Sequence, residues 1–272
     1  MPFPLSISIV AHDEERNIAR CLESATDLAE EIVVVDAGSN DRTREIAAGF
    51  DAKVIHQEWL GHRDQKNVAL SHCTKPWVLA LDCDEFLSPD LWTSISSFFR
   101  EGLPEKFDGA WCNRKTWFLG RWIRHGDWYP DRQLRLVRRE KARWGGSPEH
   151  DKIDIHGPTM GLAGDLCHDS FPSMNRYIEK INIYSDVFLQ RQNQLGKRWS
   201  LIQNVARPLW RFFRAYVLRR GFLDGYPGLW IAVATAFSTF VRYSRQYEEE
   251  SRQKNASCDS PLISRPDRPE IS

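Results

Sequence analysis

The chain has 272 residues, 42% of them hydrophobic, which is enough for one large soluble domain with appendages. Its 37 basic and 37 acidic residues cancel, so no global field argues for nucleic acid and the distribution of charge along the chain carries the information instead. The six cysteines lack C-x-x-C spacing, which suggests neither a zinc knuckle nor a disulfide scaffold and reads as reduced cytoplasmic thiols. Eleven tryptophans are unusual, and they suit core packing, sugar stacking or placement at a membrane interface. No basic n-region precedes the first apolar run, so no signal peptide is expected.

Leu5 to Val10 reads as a strand that breaks into the polar loop Ala11-His12-Asp13-Glu14-Glu15, after which Ile18, Leu22 and Ala25 recur at helical spacing. The plan repeats. Glu31 to Asp36 is a β-branched run of the kind buried on both faces of a parallel sheet, and Ala37 to Asp41 is a turn-rich loop whose Asp41 can cap the helix carrying Thr43 and Ile46. Ala52 to Ile55 is a third strand, and Gly61 to Leu70 leads into another helix. Val78 to Leu81 is a fourth, ending in Asp82-Cys83-Asp84-Glu85 before the helix that Pro89 begins. Strands alternating with helices imply right-handed βαβ units and a Rossmann-like, mostly parallel sheet with flanking helices, whose ligands bind outside the carboxyl ends of the strands. Asp13, Asp36 and the acids from Asp82 to Glu85 converge there. The competing account of that acidic group is a solvated loop capping the next helix.

After Pro104 the pattern changes to strand-like pieces rich in Trp and Arg, Ala110 to Arg114 and Thr116 to Phe118. Gln133 to Val137 alternates with period two and reads as a half-exposed antiparallel strand. For the loop bearing Trp122, Trp128 and Tyr129, sugar stacking competes with plain packing. Met174 to Gln194 has helical periodicity. From Lys197 to Asp224, seven basic residues face one acid; Arg207, Arg211 and Arg214 share one helical face and Trp210, Phe213 and Val217 another. That pattern fits a membrane surface with anionic headgroups, the rival being a packed hairpin with its arginines outside. The uncharged run Gly225 to Val241 is short for a span of about 20 residues, so a buried or interfacial helix is expected. From Tyr247 onward charges, Ser and Pro dominate, as in a disordered tail. The expected division is a catalytic domain over 1–195, a basic and apolar helical segment over 196–246, and a tail over 247–272.

A carboxylate at the end of a buried strand beside an Asp-x-Asp suits a nucleotide-diphosphate site: one acid accepts from the nucleoside, and another holds a hard divalent cation that offsets the departing diphosphate. On Ser8 to Ile18, Val35 to Thr43, Gln65-Lys66-Asn67 and Leu81 to Glu85, taken together and in this order, the chain resembles glycosyltransferase family 2. Tyr129 to Arg135, Pro148 to Lys152, His168-Asp169-Ser170 and Arg207 to Gly225 are similar to the family's bacterial lipopolysaccharide core β-glucosyltransferases. The resemblance implies a GT-A fold and inverting, metal-dependent transfer from a UDP-sugar. It also implies a glycolipid acceptor and a peripheral location on the cytoplasmic face of the inner membrane.

Carried over residue by residue, it puts Asp13 and Glu15 in the first nucleotide-contacting loop, Asp36 on uracil with Gly38 beside it, Asp82 on ribose and Asp84 on Mn2+ or Mg2+. His168 becomes a candidate metal or diphosphate ligand. His12 and Asp13 stand where Tyr-Asn is commoner, Ala37 replaces a usual Ser, and Cys83 a usual Ala. Lys66, Arg132 and Arg135 could neutralise phosphates, with ordinary salt bridging as the competing account. Inverting transfer needs a base outside the metal cluster; Asp151 is the candidate and Glu149 the second choice, in the break that holds the family's His-acid pair as His150-Asp151. The rivals are a transferase for another polysaccharide, a nucleotidyltransferase or phosphatase using the same acids, and a non-catalytic membrane-bound assembly protein.

Overall fold

The computed structural model describes residues 1–147, 150–169 and 174–258, arranged in two compact units: Met1–Arg124 with Trp128–Pro172, and His125–Asp127 with Ser173–Ser272. In the first unit, β1 (Phe3–Ala11), β2 (Ala29–Asp36), β3 (Lys53–His56) and β4 (Trp77–Asp82) lie parallel in the order β3-β2-β1-β4. Ile9 pairs with Val34 on one side and Leu81 on the other. One face packs Ile7, Ile9, Leu79 and Leu81 against Leu22 of α1 (Ile18–Glu23) and Leu91 and Phe98 of α4 (Pro89–Arg100). The opposite face packs Val33, Val35, Val78 and Ala80 against Ala69 of α3 (His62–His72). Burial on both faces explains the unbroken apolar runs Ile32 to Val35 and Trp77 to Leu81.

Beyond β4 the sheet is mixed rather than parallel. The two pieces expected near Trp111 and Trp117 are one strand, β6 (Gly109–Phe118), and β8 (Asp131–Arg138) runs antiparallel between β4 and β6. That central position corrects the half-exposed reading of β8: Arg135 is only 4% exposed. A short strand that the sequence pattern did not reveal, β5 (Glu85–Leu87), pairs antiparallel with β11 (Thr159–His168), which lies parallel to β6. The acidic group is therefore a turn between two strands, not an open loop. α2 (Thr43–Ala48) follows β2, β7 (Arg121–Trp122) folds back on β6, and β9 (Ala142–Ser147) with β10 (His150–Ile155) forms a separate hairpin. Trp144 and Ile153 seat that hairpin on the α3 face. The architecture is that of a GT-A domain.

The second unit holds α5 (Met174–Gln194), α6 (Leu201–Phe213), a π turn at Arg214–Leu218, and α7 (Gly225–Cys258). Ring contacts Tyr177–Trp230 (5.1 Å) and Phe188–Tyr243 (5.0 Å) join α5 to α7. Two expected boundaries move. α5 groups with the second unit, so the first ends at 172 and not at 195. The segment expected to be disordered from 247 is helical as far as Cys258, because Tyr247 packs on Trp199 at 4.6 Å and Glu248 pairs with Arg252 one turn on. Residues 259–272 lie outside the described residues. No helix among the described residues is long and apolar enough to cross a membrane.

Candidate active site

The loops after β1 and β2 are stapled to each other. Asp13 takes φ 53, in the left-handed region that Asp tolerates better than most residues; its N–H donates to Ser39 Oγ (3.0 Å), and the Asn40 N–H donates back to Asp13 Oδ1 (2.7 Å). The Glu15 N–H donates to Asp41 Oδ2 (3.0 Å), and the Arg42 N–H returns to Glu15 Oε2 (3.2 Å). Thr43 Oγ1 accepts the Glu14 N–H at 2.8 Å. Asp36 anchors the second loop: its carboxylate is 0% exposed, accepts the Gly38 and Ser39 N–H groups at 3.0 Å each, and also accepts the Ser39 hydroxyl. Gly38 sits at φ 90, a conformation that favours glycine.

At the end of β4 the acids divide. Glu85, 0% exposed, accepts from Arg135 (2.5 Å), from Arg114 (3.3 Å) and from the Asp82 N–H (3.1 Å). Arg135 also reaches Asp82 Oδ2 at 2.9 Å. Lys66 Nζ lies 2.7 Å from Asp82 Oδ1 and 2.8 Å from Asp151 Oδ2, over the Trp144 ring at 4.5 Å. Burial would push the Asp82 carboxyl up, but Arg135 and then Lys66 outweigh it and hold the group far below the usual carboxylate range. Burial would likewise lower the Lys66 ammonium; Asp82, against Arg135 and with Asp151, keeps it raised. The neighbours of Lys66 are scaffolding. Gln65 is buried and ties the Leu60 N–H (3.3 Å) and Gln57 O (2.9 Å) to the helix, while Asn67 makes two bonds to the Trp144 backbone.

Asp84 lies in the turn between β4 and β5. Its Oδ2 lies 3.3 Å from His168 Nε2 on the neighbouring β11, while His168 Nδ1 is buried with no partner. A 3.3 Å spacing is close to that of adjacent ligands in an octahedral shell with bonds of about 2.1 Å. The pair therefore fits a divalent cation. Among the described residues no three His, Cys, Asp or Glu side chains form a metal cluster, so such a cation would take two protein ligands and complete its shell from substrate or water.

The model for glycosyl transferase family 2 matches residues 6–156, more than half of the chain and the stretch that holds both loops, the acids and Asp151. This chain belongs to glycosyl transferase family 2. It is similar to the lipopolysaccharide core biosynthesis glycosyltransferase LpsC of Rhizobium meliloti, 30% identical over 273 residues that cover 95% of this chain and 97% of the relative. An uncharacterized glycosyltransferase of Rickettsia typhi is 29% identical, covering 92% of this chain and 89% of its own. Among solved structures, S. aureus TarS 1–349 covers 93% of this chain and 92% of its own at 14% identity and a TM-score of 0.44.

The chain is thus a glycosyltransferase, and its predicted site residues distribute unevenly. The structure brings Asp82, Lys66 and Asp151 into one chain of contacts, Asp84 and His168 into another, and Asp13, Glu15 and Gly38 into the stapled loops. Glu149 lies outside the described residues. For Arg135, buried pairing with Asp82 and Glu85 favours the salt-bridging account over the phosphate one. Arg132 stacks on Trp111 at 4.4 Å. Trp117 packs edge-on to Trp122 (5.1 Å) and Phe118 to Trp128 (5.1 Å), which favours packing over sugar stacking for most of that loop. Sequence reasoning missed Glu85 as the counter-charge of Arg135, and Ser39 as the link between loops.

Proposed function

We propose that this glycosyltransferase is an inverting enzyme that moves a hexose, with glucose the first to test, from a UDP-sugar to a lipid-linked saccharide of the lipopolysaccharide-core type at the inner face of the cell inner membrane. The observation that carries the reading is Lys66, which joins the strand-end carboxylate Asp82 to the candidate base Asp151 through contacts of 2.7 and 2.8 Å. The full-length similarity to a relative named for lipopolysaccharide core biosynthesis supports the acceptor class. The basic, apolar α6 region supports the membrane location.

In this reading the stapled loops hold the nucleoside, and Asp82, kept ionised by Arg135 and Lys66, accepts from a ribose hydroxyl. A divalent cation on Asp84 and His168 would supply positive charge to offset the leaving diphosphate. Asp151 takes the proton of the acceptor hydroxyl as its oxygen bonds to the anomeric carbon and the bond from that carbon to the diphosphate breaks, releasing UDP. Lys66 Nζ, 2.8 Å from Asp151 Oδ2, positions that carboxylate for the transfer.

The test combines the purified chain, UDP-glucose, Mn2+ and truncated lipopolysaccharide, with UDP release and product mass as readouts. Asp151→Asn should bind UDP normally and lose transfer. Near-full transfer by that variant removes Asp151 as base, and release of pyrophosphate or inorganic phosphate in place of UDP removes the whole reading.

A further inference from the structure

The second unit carries a pocket lined by none of the residues assigned above to sugar transfer. A pocket of about 300 Å3 opens where α5, the 195–200 connection, α6 and α7 meet; Lys197, Arg198 and Arg207 line it with Gln192, Gln203 and Gln246, over Tyr243. Among the described residues three cations and no acid line this space. Its walls are held in place. The Arg207 guanidinium lies 5.5 Å over the Tyr243 ring, and Gln246, 3% exposed, donates to Lys197 O at 2.7 Å. Glu250, one turn beyond Gln246, is engaged by the Trp199 N–H and by Gln246 and is not among the lining residues. Cationic side chains with amide donors around a small concavity match phosphate oxygens, which accept several charge-assisted bonds at once.

Beside the pocket, α6 leaves Leu201, Ile202, Val205, Leu209, Trp210 and Phe213 exposed, Ile202 at 78%. An apolar stripe of this size on a helix with basic flanks is costly in water and stable at a bilayer interface. Charge complementarity selects the occupant, because the lining among the described residues is cationic and amide while an anionic leaflet offers a dense array of phosphates. We propose that this pocket seats the headgroup phosphate of an anionic membrane lipid while the exposed face of α6 lies among the acyl chains. This deepens the membrane part of the function proposed above and rests on it.

Vesicle flotation tests it with the full chain, using phosphatidylcholine alone and phosphatidylcholine mixed with phosphatidylglycerol. Wild type should partition to the anionic vesicles and lose that partition in high salt. Arg207→Gln should weaken partition roughly fivefold, and the K197Q/R198Q/R207Q variant should fall to the level seen on phosphatidylcholine. Unchanged melting temperatures establish that the variants are folded; the single variant, at an exposed position, serves if the triple variant is not. Anionic preference retained in both variants overturns the pocket and leaves the membrane reading standing. Wild type that floats with neither vesicle overturns both. Stabilisation by inorganic phosphate equal to that by anionic vesicles overturns the lipid as occupant.

Discussion

Asn67 and Trp144, 77 residues apart in sequence, are joined by a reciprocal pair of hydrogen bonds: Asn67 Nδ2 donates to Trp144 O and the Trp144 N–H donates to Asn67 Oδ1, both at 3.0 Å. The pair fastens α3, which carries Lys66, to β9, whose partner β10 carries Asp151. Asn67→Ala leaves two backbone groups without partners, at a cost of about 1–3 kcal/mol. We expect a lower melting temperature and a fall in kcat with little change in UDP affinity, read by calorimetry and steady-state kinetics. An equal loss of UDP affinity and kcat would contradict this positioning role.

Glu85 neutralises Arg135 inside the sheet, so Glu85→Gln leaves a buried guanidinium with only Asp82 as counter-charge. Breaking a buried pair from one side costs about 3–5 kcal/mol. Denaturant unfolding should show a loss on that scale, and Glu85→Gln with R135M should recover part of it. If the single variant is as stable as wild type, the network is not the anchor described.

Asp84 and His168 form the pair that fits a divalent cation. Replacing either with Ala should weaken Mn2+-dependent UDP binding by about tenfold or more, while UDP binding measured in EDTA stays at the wild-type level. Titration calorimetry with and without chelator separates the two. Mn2+-dependent binding that survives both substitutions would move the cation elsewhere.

Among the described residues five cysteines, Cys21, Cys73, Cys83, Cys112 and Cys167, are buried and free. Burial above all raises the Cys73 thiol to about 11 and the Cys112 thiol to about 12, and pushes Cys21, Cys83 and Cys167 up as well. A raised thiol pKa means that the neutral form is favoured in the folded state, so its contribution to stability is complete below the unfolded thiol pKa of about 8.5 and is lost as pH rises toward the folded value. Native protein near pH 8 should leave these five thiols unreacted with a disulfide reagent that modifies all of them in denaturant, and stability should decline above pH ~9. Rapid modification of the native protein at any of the five would show that its side chain is open to solvent.

The first half of the fold was legible because Ile32 to Val35 and Trp77 to Leu81 are unbroken apolar runs that stop at the carboxylates Asp36 and Asp82, and a parallel sheet gathers such stops at one edge. Asp82 and Asp84 could be told apart in role by resemblance, but their surroundings could not be read. Arg135 stands in an alternating strand, where a charge reads as outward; only the insertion of β8 between β4 and β6 turns it inward against Glu85. The bonds by which Asp36 anchors its own loop are a local turn that composition does not reveal. The helical stretch past Tyr247 escaped notice because its stability comes from Trp199 and from pairs one turn apart, not from apolar content.

The stapling of the two loops has a consequence for how this end of the sheet can vary. Asp13, Glu15, Ser39 and Asp41 each serve as partner to a residue of the other loop, so neither loop can open without releasing bonds from both. Amide exchange there should proceed as one cooperative event, with Glu15, Asn40 and Arg42 losing protection together. A substitution that breaks a bond on one side of that seam would leave a partner unsatisfied on the other, so the two loops can change only together.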